Sequence, residues 1–291
     1  MKIAIHGRVF SDRAFPHAQY LFDELRRHGA EVIIYRPFAK MLHSRHISCG
    51  DCAEYESPAE TEGTDLFISI GGDGTLLDAV TFIGSREIPV LGVNAGRLGF
   101  MATTPAEGIK EVLQPVLDGN YTIDSRSLLR LESDEDLFEG MNFALNEFTI
   151  TKRDTSSMIL VHTYLNDEFL NSYWADGLIV STPTGATGYS LSCGGPLVMP
   201  DSGNFVITPV SPHNLSVRPI VVPDSSVLSF RIEGRSKRFL VSLDSRSKSV
   251  KATARLTVRK ENFSAKLIKL EGDTFMRTLR NKLNWGFDVR N

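Results

Sequence analysis

Two short apolar runs, KIAIHG and EVIIYR, with a helical segment between them, limit what this chain can fold into more than any other feature. The intervening AFPHAQYLFDELRRHG places Ala18, Leu21, Phe22 and Leu25 on one helical face before Gly29 stops it. That is a β-α-β unit. The alternation recurs with DLFISIGG, a helical TLLDAVTFIG, the run IPVLGVN and a helical EGIKEVLQPVLDG. Apolar strands joined by helices are most economically buried as a parallel sheet with crossover helices.

The texture changes after about Tyr121. MNFALNEFTI, MILVHTYL, FVITPV, SVLSFRIEG, RFLVSLD and ARLTVRKEN follow one another with Gly, Asn, Asp and Ser between them and no helices, which predicts an all-β second domain. The tail DTFMRTLRNKLNWG returns to a helical period through Phe275, Leu279 and Leu283, with Gly286 as its stop. At 291 residues, two domains are expected, because single cores stop growing near this length.

Hydrophobic and charged contents of 42% and 23% are those of a folded globular chain, and a net charge of −3 gives no electrostatic footprint for nucleic acid or an anionic membrane. Anionic ligands would have to be bound locally. MKIAIHGRVF is interrupted too early to read as a signal peptide, no stretch has the length of a membrane span, and 3 cysteines do not make a disulfide framework. A reducing cytoplasm is the expected location.

Three stretches carry candidate chemistry. GGDGT, residues 71 to 75, falls at the carboxyl end of a predicted parallel strand, where open sheets bind ligands. Gly71, Gly72 and Gly74 would let backbone N–H groups approach an oligophosphate, with the positive end of the following helix behind them. The same letters also suit a tight turn in which Asp73 caps that helix. GVNAGRLGF brings Asn94 and another glycine turn to the same sheet edge, with a plain turn as its alternative. ADGLIVSTPTGATGYSLSCGGP, residues 175 to 196, crowds hydroxyls and bare backbone into a turn that suits a polar ligand and equally suits an ordinary β-domain turn.

Taken together, GGDGT, GVNAGRLGF, LNEFTI at 145 to 150, DGLIVSTPTGATGYSLSCGGP and PHNLSVRPIVVP at 212 to 223 resemble the NAD kinase family in order and spacing. The resemblance implies transfer of the γ-phosphoryl group of ATP to the 2′-hydroxyl of the adenosine ribose of NAD, giving NADP. It implies Asp73 as the proton acceptor, with Gly71, Gly72, Gly74, Thr75 and Asn94 around the phosphates and dinucleotide. Asn146 and Glu147 match the pair holding the riboses and adenine region, Asp176 matches an acid facing a ring amide, and Thr187, Gly188, Tyr189, Ser190, Leu191 and Ser192 match the dinucleotide-binding turn. A divalent cation, Mg²⁺ by chemistry, is implied as a companion of ATP with no protein cage of its own, and a homo-oligomer, dimer or tetramer, is implied as the assembly. The implied fold is an N-terminal doubly wound, Rossmann-like or flavodoxin-like domain over residues 1–122 and a C-terminal all-β domain over 123–271. The implied fold ends in a helix over 272–291 that packs back on the first domain.

The chain departs from the family pattern in places. GATGYS stands where GSTAYS is usual, so that Ala186 lacks a hydroxyl and Gly188 a methyl; Trp174 stands where Arg is frequent; and Asp78 stands where many relatives carry a basic residue. Arg97 and Arg246 are therefore candidates for donor-phosphate cations. His43, His46, Cys49 and Cys52 have zinc-ligand types at three-residue spacing, but one regular helix would rotate them off a common face, and a surface connection with reduced thiols is the favoured reading. Cys193 reads as inert packing, and His213 as either pocket lining or a satisfied buried histidine.

Overall fold

The structure, a computed structural model, describes residues 1–8, 14–96, 98–153 and 157–285. The chain forms two compact units, Met1–Ser125 with Ala265–Asn291, and Arg126–Ser264.

The first unit contains β1 (Lys2–Gly7), α1 (Phe15–Arg27), β2 (Glu31–Tyr35), α2 (Arg36–Ser44), β3 (Ala53–Tyr55), β4 (Leu66–Gly71), α3 (Asp73–Ile83), β5 (Val90–Asn94), β6 (Thr104–Pro105) and α4 (Ile109–Leu117). Its strands pair in parallel in the order β3-β2-β1-β4-β5, with β6 beside β5. The chain leaves β1 in one direction and returns to β4 on the other side, so a topological switch point lies between them, with GGDGT at the end of β4. β4 and β5 are buried along their whole lengths, and the expected face of α1, Ala18, Leu21, Phe22 and Leu25, is the one that packs. Ile3, Ile5, Leu25, Ile34 and Ile68 share one core.

Among the described residues, the second unit is all β apart from one short α-helix and a 3₁₀ turn at Gly185–Thr187. It is built from β7 (Thr122–Ser133), β8 (Phe143–Ala144), β9 (Glu147–Thr151), β10 (Ile159–Leu165), β11 (Glu168–Ala175), β12 (Gly177–Ser181), α5 (Tyr189–Ser192), β13 (Asn204–Val210), β14 (Ile220–Pro223), β15 (Leu228–Glu233), β16 (Arg238–Leu243), β17 (Arg246–Lys251) and β18 (Leu256–Lys269). One sheet runs β14-β13-β12-β9-β16-β17, antiparallel throughout. Another antiparallel series runs β11-β10-β15-β18. Phe148, Val180 and Phe239 from the first meet Val161, Tyr173 and Phe230 from the second in one core, the packing of a β-sandwich. The chain crosses between the units inside the long strands β7 and β18, which is why no loop-like composition marks the boundary.

The final helix, α6 (Phe275–Leu283), belongs to the first unit. Thr274 caps it by accepting from the Arg277 N–H at 3.2 Å, and Lys282 Nζ donates to the Leu98 carbonyl. Of its expected stripe only Leu279 is buried, while Leu283 is exposed. The helix stops at Asn284, which takes the left-handed conformation (φ 51°) that short polar side chains tolerate; Gly286 lies outside the described residues.

Candidate functional site

The sequence candidates gather into two clusters, one in each unit. In the first, the polypeptide leaves β4 at Gly71 and enters α3 at Asp73, with Gly72 extended as the N-cap. The first N–H groups of a helix lack intrahelical partners and carry its positive end, so this turn favours anions. Gly72 and Gly74 are exposed, and a side chain built on either would meet nothing within 4 Å. That leaves open space over bare backbone.

Asp73 is not free to swing in that space. Its Oδ2 accepts from the Phe100 N–H at 2.8 Å, and its Oδ1 accepts from Met101 and Ala102 N–H, each at 3.0 Å. A carboxylate offers about four lone-pair directions. Three are therefore taken, and the remaining one is on Oδ2. The donors come from the loop after β5, which approaches so closely that a Cβ on Gly99 would stand 2.1 Å from Asp73 Oδ1. Asn94 braces the same loop, its Oδ1 accepting from Gly96 N–H at 2.8 Å and its Nδ2 donating to Ala102 O at 3.2 Å. Thr75 is buried beneath the turn, where a Cβ on Gly71 would collide with its Oγ1 at 2.2 Å. Asp78 is met by Arg8 from the end of β1, with Arg8 Nη2 at 2.5 Å from its Oδ2, so the acid at this position carries a cation with it. Arg97 lies outside the described residues.

The second cluster is assembled at one end of the six-stranded sheet. Glu147 opens β9 and lies opposite Ser181 at the end of β12, while Phe148 lies opposite Leu243 at the end of β16. The threonine-rich turn then folds over Asn146. Thr182 N–H donates to Asn146 O at 2.8 Å, Ala186 N–H donates to Thr182 O at 3.0 Å, and a Cβ on Gly185 would stand 2.1 Å from Asn146 O. Ser190 is buried and hydrogen-bonded to Thr208 at 2.8 Å, which pins α5 to β13. Thr187 donates to Thr184 O at 3.0 Å, and Tyr189 and Ser192 are exposed on the turn with Leu191 half-buried between them.

Within this frame three polar atoms are sealed from solvent without a hydrogen-bond partner, Asn146 Oδ1, Glu147 Oε2 and Ser181 Oγ. Buried polar atoms are ordinarily paired, so two orphans on adjacent residues mark a place where a polar ligand completes the site. Burial first, and the nearby Asp244 carboxyl second, push Glu147 up to about 8, against a hydrogen bond from the Tyr189 backbone that lowers it. Gly188 lies alongside, where a Cβ would be 3.2 Å from Glu147 Oε2. Asp176 is paired with Lys152 at 2.6 Å, and Trp174 is exposed and packs at a tilt of 35° against His213, with ring centroids 4.4 Å apart.

Arg246 has a different setting from the one expected. Its guanidinium donates to Met141 O at 2.6 Å and to Phe143 O, and it lies over the Phe138 and Phe143 rings, as a brace for the segment before β8. No group of three or more His, Cys, Asp and Glu that could hold a metal occurs among the described residues, and Cys52 Sγ instead donates to Cys49 O at 2.6 Å. Burial pushes the Cys193 thiol up, away from thiolate reactivity.

Sequence reasoning missed two features of these clusters. Residues 100–102 act through backbone N–H groups, which no side-chain pattern discloses. Asp244 sits in SLDSR, where its letter reads only as a hairpin turn.

The geometry is that of a fixed carboxylate beside an anion-binding turn, and a separate corner suited to a hydroxyl-rich ligand. Residues 4–121 match the family model for the ATP-NAD kinase N-terminal domain, and residues 145–270 match that for the ATP-NAD kinase C-terminal domain. An NAD kinase of Cytophaga hutchinsonii is 51% identical over 292 residues, and one of Flavobacterium johnsoniae is 47% identical over 294, each match covering 100% of both chains. The crystal structure of a yeast NADH kinase complexed with NADH shares the fold with a TM-score of 0.88 at 21% identity, covering 99% of this chain and 89% of that one. An NAD kinase from Archaeoglobus fulgidus in complex with ATP has a TM-score of 0.77 at 25% identity, covering 98% and 99%.

Proposed function

Because this chain belongs to the NAD kinase family and phosphorylates NAD with ATP, we propose that Asp73 accepts the proton of the adenosine ribose 2′-hydroxyl as that oxygen attacks the γ-phosphorus. The observation that carries this reading is the grip of three backbone N–H groups on its carboxylate, which leaves one acceptor direction on Oδ2 for a hydroxyl. An alcohol is a weak nucleophile at neutral pH, and a positioned base contributes typically about 10² to 10⁴-fold. The O–H proton passes to Oδ2, the new O–P bond forms, and the bond from the γ-phosphorus to the bridging oxygen breaks to release ADP. Gly72 and Gly74 hold phosphate oxygens by backbone N–H at the head of α3, with the buried Thr75 supporting the turn.

Asn146 and Glu147 take the ribose hydroxyls, and the turn from Thr187 to Ser192 with Asp176 completes the dinucleotide side. A divalent cation would accompany ATP, whose phosphate oxygens are its natural ligands. Bound there, it would supply neutralisation of the charge on the phosphates. The protein works as a homo-oligomer, consistent with Phe169, Trp174, Leu215 and Val221 all being exposed apolar side chains of the second unit. No helix among the described residues is long and apolar enough to cross a membrane, which is compatible with a cytoplasmic location.

Assaying NADP formation from ATP, Mg²⁺ and NAD tests the role of Asp73. With Asp73→Asn, kcat is expected to fall by about 10² to 10⁴-fold with NAD affinity retained. An unchanged kcat would remove the proposed base.

A further inference from the structure

Asp244 occupies the tip between β16 and β17 with φ 52°, a left-handed conformation uncommon outside glycine and tolerated by Asp and Asn. From there its carboxylate turns toward the start of β9. Oδ2 accepts from Leu145 N–H at 3.0 Å, and Oδ1 accepts from Asn146 N–H at 2.8 Å and Glu147 N–H at 3.2 Å. In return, Asp244 N–H donates to Glu147 O at 3.0 Å. One residue thus ties off three successive amides at the corner that holds the orphan oxygens Asn146 Oδ1 and Glu147 Oε2. A glycine or asparagine would make the hairpin turn equally well; neither could accept three N–H bonds with a charge.

We infer that Asp244 is the positioning residue of the dinucleotide site: it fixes the Leu145–Glu147 corner and sustains Glu147 as a neutral acid that both donates to and accepts from ribose hydroxyls. This rests on the reading of Asn146 and Glu147 as ribose contacts. The charge balance around Glu147 supports it. Asp244 faces it from the hairpin, its own carboxyl raised by burial while the three backbone bonds and Arg246 oppose that rise. From the turn, Tyr189 donates its backbone N–H to Glu147, and the Tyr189 phenol, itself raised by burial and by Cys193, Asp176 and Glu147, brings no positive charge. Lys152 is engaged with Asp176. Of the two carboxyls, Asp244 has three N–H donors to hold its charge, and the less satisfied Glu147 keeps the proton.

Isothermal titration of NAD from pH 6.5 to 9.5 tests this apart from catalysis. Wild-type affinity is expected to hold near pH 7 and to fall by up to about tenfold per pH unit once Glu147 ionises. Asp244→Asn should weaken NAD at pH 7.5 by roughly tenfold or more, move the fall to lower pH, and leave ATP affinity unchanged. Glu147→Gln should abolish the fall. An Asp244→Asn protein with wild-type affinity and profile overturns the inference, as does a wild-type profile that is flat or rises with pH. If Asp244→Asn does not fold, Glu147→Gln decides: a retained fall overturns the inference. Asn146→Ala separates the two levels. Unchanged NAD affinity there would remove the ribose reading itself, whereas weakened affinity beside an indifferent Asp244→Asn would remove only the role of Asp244.

Discussion

At the scale of single residues, function depends on close approaches that only glycine allows. Gly99 passes Asp73 so tightly that a Cβ would be 2.1 Å from Oδ1. Gly99→Ala should therefore displace the carboxylate or the loop, lowering kcat by at least about tenfold with less effect on NAD affinity, as read from steady-state kinetics. Gly188 is more forgiving, since a Cβ there would be 3.2 Å from Glu147 Oε2 and the turn could shift by a few tenths of an ångström. Gly188→Ala should fold normally and raise the KM for NAD while sparing that for ATP. Equal changes in both would disconnect this turn from the dinucleotide. The resemblance of GGDGT and LNEFTI to family motifs pointed to Asp73, Asn146 and Glu147, which their side-chain letters alone left as a helix cap and a strand end. Asp244 was illegible because an aspartate at a hairpin tip has an ordinary explanation, and its three amide partners lie about a hundred residues away in sequence.

At the scale of elements, the sequence disclosed periodicity better than anchorage. The buried face of α1 and the buried lengths of β4 and β5 follow directly from their apolar spacing. In α6 the same spacing promised three packed residues, yet only Leu279 is buried, and the Lys282 contact to Leu98 O does the rest. That contact touches the residue next to Gly99. Leu279→Ala should cost about 2 kcal/mol by urea denaturation. Hydrogen exchange should also quicken at Phe100 to Ala102, and unchanged protection there would uncouple α6 from the loop that grips Asp73. The change of texture after about Tyr121 lies close to the division at Ser125, but no turn residues punctuate the crossing, because β7 and β18 are continuous strands that enter both units.

For the molecule as a whole, stability carries a signature of its first core. His6 is buried, its Nδ1 at 3.0 Å from the Tyr55 hydroxyl and its ring stacked on Tyr35. Burial first, and Arg8 second, lower it from 6.5 to about 3. Between these values the unfolded chain binds a proton that the folded chain refuses. Stability from this residue is therefore full above about pH 6.5 and lost as pH falls, by up to about 1.4 kcal/mol per pH unit. His6→Phe should flatten that acid limb in urea titrations between pH 6.5 and 4, and an unaltered limb would assign it to other groups. The fold class was readable at this scale because parallel and antiparallel strands bury different fractions of their faces, whereas the pairing of Arg8 with Asp78 joins residues on different elements that nothing in the linear order connects.

The amides that grip Asp73 also bear on how the enzyme tolerates sequence change. Phe100, Met101 and Ala102 supply their main-chain hydrogens whatever side chains they bear. The Asp73 carboxylate is thus supported by a part of the chain whose spelling is free to drift, provided its path holds and the glycine before it stays. A library randomised at these three positions should keep many active members, while one randomised at Gly99 alone should keep almost none.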